Sequence, residues 1–153
     1  MVEGQEYSSI LVGTDGSEQA MQAFEKAVAV AKRNNAMVIV AHVIENRMYG
    51  NMTFSTVTAD MVQEETDQAK RLLEEYKEYA VKELGYDQVQ TVLEFGSPKV
   101  LMSVDLPETY NVDLIMVGQS GLNAVERFVM GSVSDYIIRN APCDVLIVRP
   151  LDE

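Results

Sequence analysis

Three glycines and a serine in the C-terminal half of the chain have a spacing that suits an anionic ligand. Gly118 and Gly121 are followed by Gly131 and Ser132, which gives the pattern G-x2-G-x9-G-S. Glycines let backbone N–H groups approach a ligand because no Cβ stands in the way. Ser132 opens the run Ser-Val-Ser-Asp, which predicts a capping box at the start of a helix. The free N–H groups and the positive dipole end of such a helix favour an anion such as a triphosphate.

Two interpretations of this segment remain open. In the functional one, the hydroxyls of Ser132 and Ser134 add hydrogen-bond donors for phosphate oxygens. In the structural one, the glycines only form a tight loop and Ser132 only caps the helix. Common nucleotide motifs do not decide between them, because the sequence has neither a G-x4-G-K-[ST] phosphate loop nor a G-x-G-x-x-G dinucleotide fingerprint.

The remaining reactive side chains favour few other chemistries. The chain has one cysteine, Cys143, and one histidine, His42, so a zinc site of the usual Cys/His kind cannot be assembled. We interpret His42 as a core histidine and Cys143 as a small buried apolar residue. No His, Lys or acidic base is evidently placed to activate water, so fast hydrolysis is not expected, although slow turnover stays open.

Composition limits the class of protein. The length of 153 residues suits one domain, and 47% apolar with 24% charged residues is usual for a globular chain. The net charge of −12 argues against binding to nucleic acid or to an anionic membrane surface. The longest apolar run, residues 36–41, is too short to span a bilayer, and the acidic N-terminus does not indicate export. With a single cysteine, these features predict a cytoplasmic protein.

Short apolar runs alternate with helical patterns, and this predicts the fold. Strands are expected at 9–13, 37–43, 89–95, 113–118 and 144–149. Helices are expected at 17–34, 60–84 and 132–140, and another should begin at Ser97-Pro98 and break near Leu106 because Pro107 follows. A loop is expected at 45–58, and Gly85 should end the second helix. The alternation predicts one α/β domain, 1–153, with a doubly wound, Rossmann-like, five-stranded parallel sheet.

In such a sheet, ligands bind outside the carboxyl ends of the strands, at the point where the winding reverses. The first predicted strand ends in Gly13-Thr-Asp-Gly-Ser17, and the fourth ends in Gly118-Gln-Ser-Gly121. Both segments are rich in glycine and in side chains that form hydrogen bonds. The sequence therefore places the candidate ligand site between these two strand ends.

Several ordered segments resemble the ATP-binding branch of the universal stress proteins. They are Ile10-Leu-Val-Gly-Thr-Asp-Gly-Ser17, Ala41-His-Val-Ile44, Asp113-Leu-Ile-Met-Val-Gly118, the G-x2-G-x9-G-S segment and Ala141-Pro-Cys-Asp-Val-Leu-Ile-Val148. The resemblance covers essentially the whole chain. It implies an adenine nucleotide alpha hydrolase-like fold with strand order 3-2-1-4-5 and a bound ATP, with Mg²⁺ or Mn²⁺ held mainly by phosphate oxygens and water.

The resemblance also implies a role for individual residues. Asp15, next to Thr14, would accept hydrogen bonds from ribose hydroxyls, and Gly13 and the Val43 backbone would lie against adenine. Gly118 would approach the ribose. The phosphates would be held by Gly121, Gly131, Ser132, Val133 and Ser134. Many family members have a basic or imidazole side chain where this chain has Gln119-Ser120, and Arg127 could supply that charge instead.

We therefore expect an ATP-binding stress-response protein that acts as a regulatory or signalling dimer, with a further protein partner possible. The apolar strand 144–149 would form the sheet edge and the homodimer contact. Two alternatives are a slow nucleotide hydrolase or transferase on the same scaffold, and a nucleotide-free dimerisation module. The stress signal, the partner and the metal ligands are not predicted by the sequence.

Overall fold

A computed structural model describes residues 6–45, 59–119 and 130–150 of the chain. Its strands are β1 (Ser9–Gly13), β2 (Met37–Glu45), β3 (Val89–Gly96), β4 (Leu114–Gly118) and β5 (Asp144–Val148). Its helices are α1 (Glu18–Asn34), α2 (Ala59–Lys82), α3 (Pro98–Val100), α4 (Leu106–Thr109) and α5 (Ser132–Asn140), and a π-helical segment, Leu101–Asp105, joins α3 to α4. None of the described helices is long and apolar enough to cross a membrane.

The five strands form one parallel sheet in the order β3-β2-β1-β4-β5, which confirms the predicted fold. β1 pairs with β2 on one side, where Gly13 lies opposite Ala41, and with β4 on the other, where Val12 lies opposite Met116. The winding direction reverses between β1 and β4. Their carboxyl ends are therefore neighbours at the topological switch point, where ligands bind in sheets of this kind.

Both faces of the sheet are covered, which explains the continuous apolar runs of the strands. Ile10 and Val12 point to the face that α1 and α2 cover, and Leu11 points to the face covered by the π-helical segment, α4 and α5. On the first face the rings of Phe24 and Tyr76 meet edge to face, with their centroids 4.9 Å apart. This contact packs α2 against α1.

The predicted helix boundaries are mostly confirmed. Ser17 caps α1, where its Oγ accepts a hydrogen bond from the Ala20 N–H at 3.1 Å. Gly85 has a φ of +66° just after α2, a conformation that a residue without Cβ adopts without strain. β2 continues to Glu45, two residues beyond the predicted end.

The expected helix break near Leu106 is wrong. Residues 98–109 stay helical, and the Leu106 N–H donates to the Leu101 carbonyl, five residues earlier. An α-helix would bring the Pro107 ring against a carbonyl four residues back. The wider π-helical turn just before the proline accommodates the ring without interrupting the helix.

Candidate functional site

Thr14 is the first residue after β1, and every hydrogen-bonding group that it has is used. Its N–H donates to the Ala41 carbonyl at 2.8 Å, and its carbonyl lies 2.8 Å from His42 Nδ1. Its Oγ1 donates to Tyr76 Oη at 2.8 Å and accepts from the Gly16 N–H at 3.2 Å. We call Thr14 and its partners Ala41, His42 and Tyr76 the Thr14 anchor. It fixes the start of the loop that carries Asp15.

Asp15 is exposed, and its carboxylate is only partly used within the protein. Oδ1 accepts a hydrogen bond from the Ser17 N–H at 2.9 Å, which closes a short turn before α1. Within the described residues no hydrogen bond to Oδ2 is formed. One oxygen of Asp15 therefore stabilises the turn, while the other can accept a hydrogen bond from a ligand.

The end of β4 and the start of α5 are joined by a short set of hydrogen bonds. The Gly131 N–H donates to the Gln119 carbonyl at 2.9 Å, and Ser134 Oγ donates to the Gly118 carbonyl at 2.8 Å. Ser134 is buried, so its hydroxyl holds α5 against β4. These bonds bring Gly118, Gly131 and Ser134 together, as the sequence predicts.

The predicted capping box at Ser132 is wrong. The residue in the N-cap position is Gly131, with φ −64° and ψ 151°, and no side-chain hydrogen bond caps α5. Ser132 is the exposed first residue of the helix, and Asp135 instead accepts a hydrogen bond from Arg139 Nε at 3.0 Å. Within the described residues, the first N–H groups of α5 thus have no side-chain partner, which leaves them available to an anion.

A cleft of about 510 Å³ lies at this edge of the sheet, where β2, β3 and two helix starts meet. Ser132 and Val133 form one wall, and Glu45, Ser97 and Lys99 contribute to the rest. Lys99 is exposed and forms no ion pair within the described part of the chain. Sequence reasoning missed Lys99. The available signal was its position just after Ser97-Pro98, a helix start directly following a strand.

The other predicted site residues differ in how they are placed. Val43 is half-buried near the end of β2, and Gly13 ends β1. Packing also favours a residue without Cβ at Gly13, because a Cβ there would lie 3.0 Å from Met102 Cε. Gly121 and Arg127 lie outside the described residues.

His42, which the sequence suggested to be a core histidine, is half-buried and has a hydrogen-bond partner. A carbonyl oxygen can only accept, so the bond to Thr14 requires the proton on His42 Nδ1. His42 therefore belongs to the support of the loop rather than to the core alone.

The electrostatics around the loop keep Tyr76 neutral. Burial raises the pKa of Tyr76, and the nearby Asp15 carboxylate raises it further, whereas the hydrogen bond from Thr14 acts in the opposite direction. A neutral phenol can keep its hydrogen bond with Thr14 across the physiological pH range. No group of three or more His, Cys, Asp or Glu side chains within residues 6–45, 59–119 and 130–150 could hold a metal ion.

Comparisons with known proteins show which family the chain resembles. The model of the universal stress protein family matches residues 6–149. A Staphylococcus aureus (strain USA300) protein that carries the universal stress protein name is 48% identical over 143 residues, which cover 94% of this chain and 84% of the relative.

Solved structures with a similar fold point to the same family. The universal stress protein UspA from Lactobacillus plantarum is 27% identical with a TM-score of 0.82, over 95% of this chain and 99% of that one. A universal stress protein in complex with cAMP is 28% identical with a TM-score of 0.70, over 95% of this chain and 98% of that one. Together with the sheet order and the glycine-rich strand ends, these matches show that the chain belongs to the universal stress protein family.

Proposed function

We propose that this chain binds ATP at the carboxyl edge of the sheet and acts in stress response as a cytoplasmic, single-domain, nucleotide-dependent regulatory homodimer. The observation that carries the proposal is the uncapped start of α5 beside the cleft. The N–H groups at the start of α5 and the Ser132 hydroxyl lie in one wall of the cleft. Lys99, which also lines the cleft, contributes a positive charge. In a chain of net charge −12, such a cluster of donors favours an anionic ligand such as a triphosphate.

The loop after β1 supports a nucleoside as the rest of the ligand. Asp15 Oδ2 is an acceptor at the switch point that no described residue uses, and it would suit the 2′- or 3′-hydroxyl of a ribose. Gly118 ends the neighbouring strand β4, where the sugar would approach a residue without Cβ. Val43, near the end of β2, would contact adenine.

A metal ion would reach this site with the nucleotide. The described residues supply no ligand cluster, so Mg²⁺ or Mn²⁺ would be held mainly by phosphate oxygens and water. When bound, such an ion would neutralise part of the triphosphate charge.

A second candidate ligand is a cyclic nucleotide, because a structural relative at 28% identity is a complex with cAMP. The two candidates differ in phosphate number. ATP would use the α5 start and Lys99 with several phosphates, whereas cAMP has one phosphate and no free 3′-hydroxyl for Asp15.

The test is calorimetric titration of the purified protein with ATP and with cAMP, after any nucleotide released by denaturation has been identified. Gly131→Val should lower ATP affinity by about tenfold or more, because the side chain crowds the phosphate path. Backbone strain is not expected, since φ −64° and ψ 151° suit any residue.

The matched control is Ala141→Val, which adds methyl groups at the other end of α5 in a similar backbone conformation, φ −68° and ψ 141°. It should leave ATP affinity unchanged. Equal affinity in Gly131→Val and wild type, with native circular dichroism spectra, would overturn the phosphate site. Tighter binding of cAMP than of ATP would favour the second ligand. Release of phosphate from ATP by the wild type, lost in Gly131→Val, would indicate the slow hydrolase. The absence of any bound nucleotide would indicate the nucleotide-free dimerisation module.

A further inference from the structure

We infer that Tyr76 and His42 are positioning residues for ribose recognition: through Thr14 they hold the Asp15 carboxylate in the orientation that reads the sugar hydroxyls. The inference rests on the proposed function, because it concerns how the same site distinguishes a ribonucleotide from its deoxy analogues. Neither residue needs to touch the nucleotide.

The first step is that Thr14 is held from three directions. Ala41 and His42 belong to β2, whose residues 37–41 pair with every residue of β1. Tyr76 belongs to α2, on the face of the sheet covered by α1 and α2, and only 2% of it is exposed. Its ring is packed against Phe24 of α1, so its hydroxyl has a fixed position.

The second step is that Asp15 has little support of its own. It is exposed, and its only hydrogen bond within the described residues is the one that Oδ1 accepts from the Ser17 N–H, which closes the turn. The next residue, Gly16, has a φ of +83°, and a Cβ there would meet nothing within 4 Å. A glycine in open space gives the loop conformational freedom. What limits that freedom is Thr14 Oγ1, which accepts from the Gly16 N–H while donating to Tyr76.

The third step links the support of the loop that carries Asp15 to specificity for the ribose. A preorganised acceptor discriminates between a ligand with a hydroxyl and one without it, because the hydrogen bond forms without further ordering of the loop. Loss of the Tyr76 hydroxyl leaves the Thr14 hydroxyl without its acceptor, so that the contact with the Gly16 N–H alone no longer fixes the loop and the Asp15 carboxylate can turn away. Discrimination should then fall more than general nucleotide affinity, which also depends on the start of α5.

The experiment is calorimetric titration of wild type, Tyr76→Phe and Tyr79→Phe with ATP, 2′-deoxyATP and 3′-deoxyATP. Tyr76→Phe keeps the ring and removes only the hydroxyl. Tyr79→Phe is the matched control on the same helix, since its hydroxyl donates to Glu25 Oε2 at 2.9 Å and not to the loop. We expect Tyr76→Phe to reduce the preference for ATP over the deoxy analogue by about threefold to tenfold, the range of one hydrogen bond. Tyr79→Phe should preserve that preference.

His42 provides an independent second arm. In His42→Asn an amide N–H stands close to the position of Nδ1 and can still donate to the Thr14 carbonyl, whereas His42→Leu removes the donor. We expect the preference for ATP to fall in His42→Leu and to be retained in His42→Asn. In a double-mutant cycle, Tyr76→Phe with Thr14→Val should be no worse than Thr14→Val alone, because both remove the same bond.

The outcomes separate the inference from the proposed function. If the wild type does not bind ATP, the proposed function fails. If the wild type binds ATP but does not distinguish it from either deoxy analogue, or if Tyr76→Phe weakens all three nucleotides equally, the positioning role is wrong. An unchanged preference in Tyr76→Phe, with a native circular dichroism spectrum, overturns it as well.

Discussion

Asp15 divides its carboxylate between the protein and the proposed ligand. Oδ1 accepts the Ser17 N–H, and Asp15→Asn would keep this bond while placing an amide nitrogen at the position of Oδ2. The amide nitrogen cannot accept a hydrogen bond from a ribose hydroxyl. We therefore expect Asp15→Asn to weaken ATP binding by about tenfold, as for a hydrogen bond to a charged group, with the fold preserved.

Titration with ATP is the measurement, and Asp105→Asn is the control. Asp105 is an exposed acid in the π-helical segment, so its substitution changes the net charge equally without altering the loop after β1. A similar loss of affinity in both variants would mean that Asp15 acts only through its charge.

Residue positions at the site were only partly predictable from the sequence. Gly13, Asp15 and Gly118 are placed at the strand ends as expected, because a parallel sheet brings those ends to one edge. Tyr76 lies 62 residues from Thr14, and no local pattern indicates their hydrogen bond.

The choice of N-cap was wrong for a different reason. Gly131 and Ser132 are adjacent, and both residue types are accepted at helix starts. The local sequence therefore does not determine which of them occupies the N-cap position of α5.

At the scale of the elements, Gly85 gives the sharpest test of a predicted helix end. Its φ of +66° costs a residue with Cβ about 1–2 kcal/mol. No steric clash is added, because among the described residues only Lys32 Nζ, at 3.9 Å, would lie near a Cβ there. Gly85→Ala should lower the free energy of unfolding by about 1 kcal/mol.

Urea unfolding followed by circular dichroism measures the change. Glu83→Ala, an exposed substitution at the same end of α2, should alter stability by less than about 0.5 kcal/mol. If the two variants are equally stable, the left-handed conformation at Gly85 does not determine the end of the helix.

The helical stretch from α3 to α4 shows where element prediction from sequence stops. Proline indicates a local disturbance, and the structure contains one. Its form, a π-helical turn at Leu101–Asp105 rather than a break, depends on packing. Met102 and Leu106 are buried against the sheet, and this contact keeps the chain helical through the proline.

At the scale of the whole molecule, β5 is the element that most directly predicts assembly. Within the part of the chain that the structure describes, it has a strand neighbour only on the β4 side. The Val148 carbonyl points to that side, since it accepts from the Gln119 N–H at 3.1 Å, so the backbone groups of Ile147 point to the outer edge. We expect a homodimer through this edge and a monomer in Ile147→Lys.

Light scattering should give twice the chain mass of 17.0 kDa for the wild type and the single mass for the variant. Ile138→Lys is the control, because Ile138 is 44% exposed on α5 and away from the edge strand. It should remain dimeric. A wild-type monomer at tens of micromolar, or a dimer of folded Ile147→Lys, would contradict the proposed contact.

The overall architecture was the most predictable feature, because it depends on repeated patterns rather than single contacts. Strands buried on both faces read as continuous apolar runs, and helices between them require right-handed crossovers. Strand order followed from the family resemblance and is confirmed.

The Thr14 anchor also has a consequence for the time course of folding. Its bonds join β1 to residues 28 and 62 positions further along the chain, so it closes only after β2 has paired and α2 has docked. Contacts between distant residues form late, because the chain between them must first be ordered. During synthesis, the loop after β1 thus lacks its Tyr76 contact until residue 76 has left the ribosome. A ligand that requires this loop selects the completed fold, and it would prolong the lifetime of the native state by slowing unfolding rather than by accelerating folding.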